Sequence, residues 1–190
     1  MKKNKNAFLI LAIVCTILFF GWATVRIVKY IPFSLNCEAY LKRAADANTV
    51  ELAKGELAKA IDYIEKNNLT EGIVSIFLKN PANDIEFWYH NIKSAYYELE
   101  RCLPDDVSQL EKTNVLMKLR ESLTDRDGNG GTKVIYPDGI EIYPDNVLYF
   151  WLSMVSGVFA CVFWSLFLAS LGVEIKRESI TITKNTIVKK

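Results

Sequence analysis

The side chains able to do chemistry are few and scattered. Asp125-Arg126-Asp127-Gly128-Asn129-Gly130 matches the opening of a calcium loop, in which three alternating oxygen ligands precede the glycine of a sharp turn. The twelfth position of such a loop carries a bidentate glutamate, and here it is Tyr136, so the ligand that closes the cage is missing. Asp125, Asp127 and Asn129 therefore stand as a weak calcium candidate beside a plainer reading, a polar Asp/Gly turn. The single histidine, His90, follows Glu86 by four residues, which puts both on one helix face, but two ligands do not make a zinc site. One histidine also removes most His-dependent nucleophile arrangements. Of four cysteines, Cys15 and Cys161 fall in apolar runs, while Cys37 and Cys102 lie between them. The latter pair is a disulfide candidate, with two separate buried thiols as the alternative. These residues predict no catalytic set and no cofactor, and the chain reads as non-enzymatic.

The elements that hold these residues are set by two uncharged apolar runs, Ala7–Val25 and Val147–Val173. Each exceeds or approaches the roughly 20 residues that cross a bilayer core at about 1.5 Å per residue. The expected fold is a mainly α membrane protein in which two transmembrane helices flank a small helical-bundle ectodomain with a membrane-proximal β-hairpin. The boundaries follow as a cytoplasmic N-terminus (1–6), a first span (7–30), a helical extracytoplasmic domain (31–131), the hairpin (132–146), a second span (147–173) and a tail (174–190). A cleaved signal peptide competes for the first run, because a basic start and Gly21-Trp22-Ala23 suit it. The apolar stretch nevertheless continues to Val25, beyond the usual h-region length.

Between the runs, Pro32 is expected to interrupt the first helix, and Ser34 or Asn36 to cap a new one reaching Asn67, which Asn48-Thr49 could split. Ile73–Leu78 is an apolar connector that periodicity assigns to neither strand nor helix. Asp84 caps a second helix stopped by Pro104, with Phe87, Tyr96, Leu99 and Leu103 near one side. A third starts near Asp105-Asp106 and carries Val107, Leu110, Leu116, Leu119 and Leu123 at helical spacing. Pro137-Asp138-Gly139 supplies the hairpin turn, and Tyr143-Pro144-Asp145-Asn146 echoes it. In the second span Ser153, Gly157, Cys161, Ser165 and Ala169 recur every four residues, a small-residue ladder expected to pack against another helix in a right-handed crossing. Ala12 and Thr16 of the first span are the nearest candidates, and a second copy or a foreign subunit the other.

Charge is segregated although the chain carries only +1 in total. Residues 1–30 hold five basic side chains and no acid, and residues 31–146 carry a net −7. An acidic middle excludes nucleic acid as a partner, since phosphate binding needs a positive footprint. Lys2, Lys3 and Lys5 before the first span, and Lys176, Arg177, Lys184, Lys189 and Lys190 after the second, place both termini in the cytoplasm. Arg26 and Lys29, on the outer side, weaken that bias. Neither span contains an internal ionisable residue, so the usual mark of an ion pathway is missing.

The stretch Cys37–Asn68 with LKRAADANTVELA, together with FWYHNIKS, SQLEKTNVLMKLRESL and the YPDG turn, resembles small uncharacterised two-span proteins of cyanobacteria. That resemblance covers roughly residues 36–150, implies a plasma or thylakoid membrane, and brings no activity and no site residues. The expected function is that of an accessory or structural subunit whose acidic ectodomain binds a protein partner, with homo-oligomerisation through the second span as a further contact. A sensor acting through a cytoplasmic partner is the runner-up, because helices between two spans resemble the layout of bacterial chemoreceptor input domains. A hydrolase with an unrecognised site is the third reading.

Overall fold

The first apolar run is helical throughout. In the computed structural model, which describes residues 2–188 apart from Asp105, Asp127 and Asn129 and their side chains from Lys5 to Ile182, α1 covers Lys2–Phe33. Pro32 lies inside it, contrary to the expected break. A proline lacks the N–H that would bond the carbonyl four residues back. The helix nevertheless continues, passing two residues later into a π-turn, Ser34–Glu38, which closes with the Ala39 N–H donating to the Ser34 carbonyl. The Asn36 amide donates to the Pro32 carbonyl at 2.9 Å, so this carbonyl keeps a partner. Helix α2, Ala39–Ala45, follows without interruption. Phe33, Cys37, Leu41 and Ala44, four, four and three residues apart, share one buried face, each at most 1% exposed.

The remaining elements are α3 (Val50–Lys66), α4 (Ile85–Arg101), α5 (Gln109–Leu123), β1 (Thr124–Arg126), β2 (Thr132–Val134) and α6 (Asn146–Val188). Thr49 splits α2 from α3 where the sequence allowed a split, its hydroxyl accepting from the Leu52 N–H at 3.3 Å. Asp84 caps α4 as expected, accepting from the Phe87 N–H at 3.1 Å. Helix α5 begins later than the Asp105-Asp106 start, because Ser108 takes the cap and accepts from the Glu111 N–H at 3.2 Å. Ser108-Gln109-Leu110-Glu111 has the spacing of a capping box, a signal present in the sequence.

The chain divides into two compact units. In the unit Arg26–Val147, α2 to α5 enclose an apolar core. Helix α3 contributes Val50, Ala53, Leu57, Ala60 and Ile64, each at most 2% exposed, at the three-and-four spacing of one helix face. Helix α4 buries Ile85, Trp88, Ile92 and Leu99, again on one stripe, whereas Phe87 is 63% exposed and does not join it. From α5 only Leu119 and Leu123 are buried, and Leu110 is exposed.

The hairpin is displaced from residues 132–146. Strands β1 and β2 pair antiparallel around the DRDGNGG turn, with Thr124 opposite Val134 and Arg126 opposite Thr132. Residues 137–145 instead form consecutive tight turns: the Ile140 N–H donates to the Pro137 carbonyl, the Ile142 N–H to Gly139 and the Asp145 N–H to Ile142. Two prolines, Pro137 and Pro144, remove donors that a ladder here would need. Gly139, at φ +88°, makes the reversal that buries Ile140 and Ile142. The connector 73–78 is neither strand nor helix and touches the sheet class only through an isolated Ile73–Asp84 bridge.

The second unit consists of Met1–Val25 and Leu148–Lys190, two helices long and apolar enough to cross a membrane. They run antiparallel. Lys5 pairs with Glu174 at one end and the Trp22 ring stacks on Tyr149 at the other, with centroids 4.5 Å apart. Between them the Trp164 indole N–H donates to the Thr16 hydroxyl at 3.1 Å. From Ser153 to Glu174 the shielded positions of α6 are Ser153, Ser156, Ala160, Phe163, Phe167, Ser170 and Glu174, alternating three and four residues apart, with Gly157 and Leu171 flanking that line. That alternation is the seam of a left-handed pair rather than of the right-handed crossing expected from the ladder.

Candidate interaction surface

The residues flagged in sequence are not brought together. Asp125 lies in β1, where a side-chain oxygen accepts from the Arg126 N–H at 2.7 Å, while Asp127 and Asn129 lie outside the described residues. Among the described residues no group of three or more His, Cys, Asp or Glu side chains is placed to hold a metal ion. His90 and Glu86 share a face of α4, both exposed, with Nε2 and Oε1 3.9 Å apart. Cys37 and Cys102 are both buried in the Arg26–Val147 core, and both are free thiols. Of the ladder, Ser153 and Gly157 are partly shielded and Gly157 lies against Phe19, where an added Cβ would sit 3.3 Å from the ring. Cys161, Ser165 and Ala169 are exposed. At about 100° per residue, the sixteen residues from Ser153 to Ala169 carry the ladder about 160° around the helix, so it cannot stay on one contact seam.

What the sequence did not reveal is a groove on the Arg26–Val147 unit. It opens at the start of α4 and is bounded by the segment after β2, with a cavity of about 300 Å³ lined by Pro81, Phe87, Trp88, Ile135, Tyr136 and Pro137 among others. The Trp88 indole N–H donates to the Ile135 carbonyl at 2.9 Å, and the Ile135 N–H donates to the Leu123 carbonyl at 2.9 Å, which fixes this wall to both α4 and α5. A second cavity of about 270 Å³ lies between α4 and α5 and shares Asn91 and Ser122 with the first. Its other walls include Ser94, Glu98 and Lys118. The two adjoin at Asn91 and Ser122, the first lined by aromatic side chains and the second more polar. Phe87, set one position off the buried stripe of α4, was the available sequence signal: its exposure is what the 85, 88, 92, 99 spacing predicts.

The electrostatics around the core are those of a supported scaffold. The carboxylate of Glu56 is 5% exposed and is held by Arg43 and Lys59: Arg43 Nη2 and Lys59 Nζ donate to Oε1 at 3.1 and 2.8 Å, and Arg43 Nε lies 3.0 Å from Oε2. Both cations also lie over the Tyr40 ring. Glu65 accepts from Lys93 at 2.8 Å and from the Tyr89 hydroxyl at 2.6 Å, and these bonds hold its carboxyl below the usual range. Burial, then the nearby Glu38 carboxylate, pushes the Tyr136 phenol well above its ordinary value. No protein-family model, curated protein or solved structure matches this chain.

Proposed function

We propose that this chain is a non-enzymatic integral membrane protein of a prokaryotic plasma or thylakoid membrane, with both termini cytoplasmic and an extracytoplasmic helical domain that binds a protein partner. In this reading it is an accessory or structural subunit of a membrane assembly. The observation that carries it is the groove: on an acidic helical domain a cavity of about 300 Å³ is walled by apolar side chains, among them Phe87, 63% exposed, and Ile135, 42% exposed. Two long apolar helices support the membrane setting. The two cations that follow the first run are engaged by the domain itself, Arg26 with Glu141 at 3.4 Å and Lys29 with Asp145 at 3.5 Å, which suits their lying on the outer side.

A sensor reading has one observation in its favour, the unbroken helical backbone from Lys2 to Ala45. Purification of the tagged full chain from its native membrane in mild detergent, followed by mass spectrometry, separates the two. A stoichiometric partner is the expected result, and recovery of the chain alone or as a homo-oligomer would sink the accessory reading.

A further inference from the structure

The groove has a direction, and that direction selects an occupant. From Phe87 to Glu98 the wall formed by α4 is eleven residues long, about 16 Å, the reach of about five residues of extended chain. At one end the cavity of about 300 Å³ accepts one large apolar side chain. Along the floor, Asn91 and Ser94 stand one turn apart on α4, exposed, and among the described residues neither side chain has a hydrogen-bond partner. An amide and a hydroxyl so placed match the free N–H and C=O groups of an extended backbone, which a helical ligand would already have used internally.

Charge narrows the ligand further. The lining contains two carboxylates, Asp84 and Glu98, and one cation, Lys118, whose Nζ donates to both oxygens of Glu98 at 2.7 and 2.9 Å. Asp84 uses one oxygen for the Phe87 N–H and, among the described residues, pairs with no cation. Residues 31–146 as a whole carry −7. An anionic ligand would meet a carboxylate at the apolar end and an acidic domain around it. A cationic one gains at both scales.

We infer that the α4/α5 groove binds an extended segment of a partner protein, carrying one large apolar anchor beside a lysine or arginine: the anchor fills the Phe87/Trp88/Ile135 cavity, the cation faces Asp84, and the backbone bonds Asn91 and Ser94. This rests on the partner-binding reading above and gives the partner its chemistry.

The test uses the full chain in detergent micelles and a phage-displayed library of random heptapeptides. Enriched sequences are expected to pair an apolar anchor with Lys or Arg within two positions. A synthetic peptide of the enriched sequence should lose roughly tenfold in affinity on Phe87→Asp, where the side chain is exposed and the fold does not depend on it. Asp84→Asn keeps an N-cap and removes the charge, so it should cost about threefold and flatten the salt dependence. Ile135→Lys serves if Phe87→Asp fails to fold, and should also weaken binding by placing a cation at the cavity.

Enriched peptides that are acidic, or that bind Phe87→Asp and Ile135→Lys as well as the parent, would overturn the groove assignment while leaving partner binding intact. No enrichment, with native mass spectrometry finding a lipid displaced by Phe87→Asp, would overturn it in favour of an acyl-chain site. Peptide binding at the groove in a chain that purifies without a partner would uphold the site and remove the accessory role.

Discussion

At the scale of single residues, the Arg26–Val147 unit is held by a few polar contacts whose costs differ. Glu56 is a buried carboxylate between two half-exposed cations, so removing it lets Arg43 and Lys59 return to water while the charge-assisted bonds are lost. Glu56→Ala is expected to lower the unfolding free energy by about 1–2 kcal/mol, read from denaturant titration in detergent, and no change would show that the cluster is decorative. Glu65 behaves differently because it is 45% exposed. Lys93 and Tyr89 hold its folded carboxyl below the unfolded value, so its contribution is present above the ordinary carboxylate range and is lost as pH falls through the depressed folded value. Exposure limits that contribution to a few tenths of a kcal/mol, and Glu65→Gln should flatten the acid limb of the stability profile slightly. Gly72 is a third case, at φ +112° with the Tyr143 hydroxyl where a Cβ would stand, so both backbone and packing forbid a side chain.

At the scale of elements, what the sequence made legible depended on whether the signal was local. Asp84 and Thr49 were readable as caps because a cap is a bond within three residues. The stripe of α3 was readable because its period is intrinsic to the helix. The hairpin was misplaced because alternation in VIYPDGIEIY resembles a strand, whereas Pro137, Gly139 and Pro144 favour local three-residue bonds over a ladder. Pro32 misled for the opposite reason: its missing N–H costs the helix one bond, to the carbonyl of Val28, and that single loss does not end α1, which passes two residues later into a π-turn. Beyond the exposed Phe87 the groove was illegible, because its walls come from the start of α4, the end of α5 and the segment after β2, which no single segment encodes. The second unit yields a direct test of the seam. Gly157→Leu should drive a side chain into Phe19 and loosen the α1/α6 pair, reducing cross-linking between cysteines introduced at Trp22 and Tyr149, whose rings stack with centroids 4.5 Å apart, while Ala169→Leu, on an exposed position, should leave it unchanged. Equal effects of the two would refute the alternating seam.

At the scale of the whole molecule, segregated charge and two apolar helices frame one orientation. In sealed native vesicles of known sidedness, a membrane-impermeant maleimide should label Thr70→Cys, and should reach Asn6→Cys only after permeabilisation. The reverse pattern would invert the proposed topology. Cys37 is fully buried and Cys102 5% exposed, so neither should contribute background in the folded chain.

The π-turn at Ser34–Glu38 also sets a rule about length. It holds one residue more than a regular turn, and Leu35 at 64% exposed is the residue that a deletion could remove without emptying the core. A π-turn takes up one added residue while the helix on either side keeps its phase, so deleting Leu35 would return the turn to α geometry and leave Phe33 on the core face with Cys37, Leu41 and Ala44. The turn should therefore tolerate that one deletion, read as a nearly unchanged denaturant midpoint, whereas a further inserted residue would find no such slack.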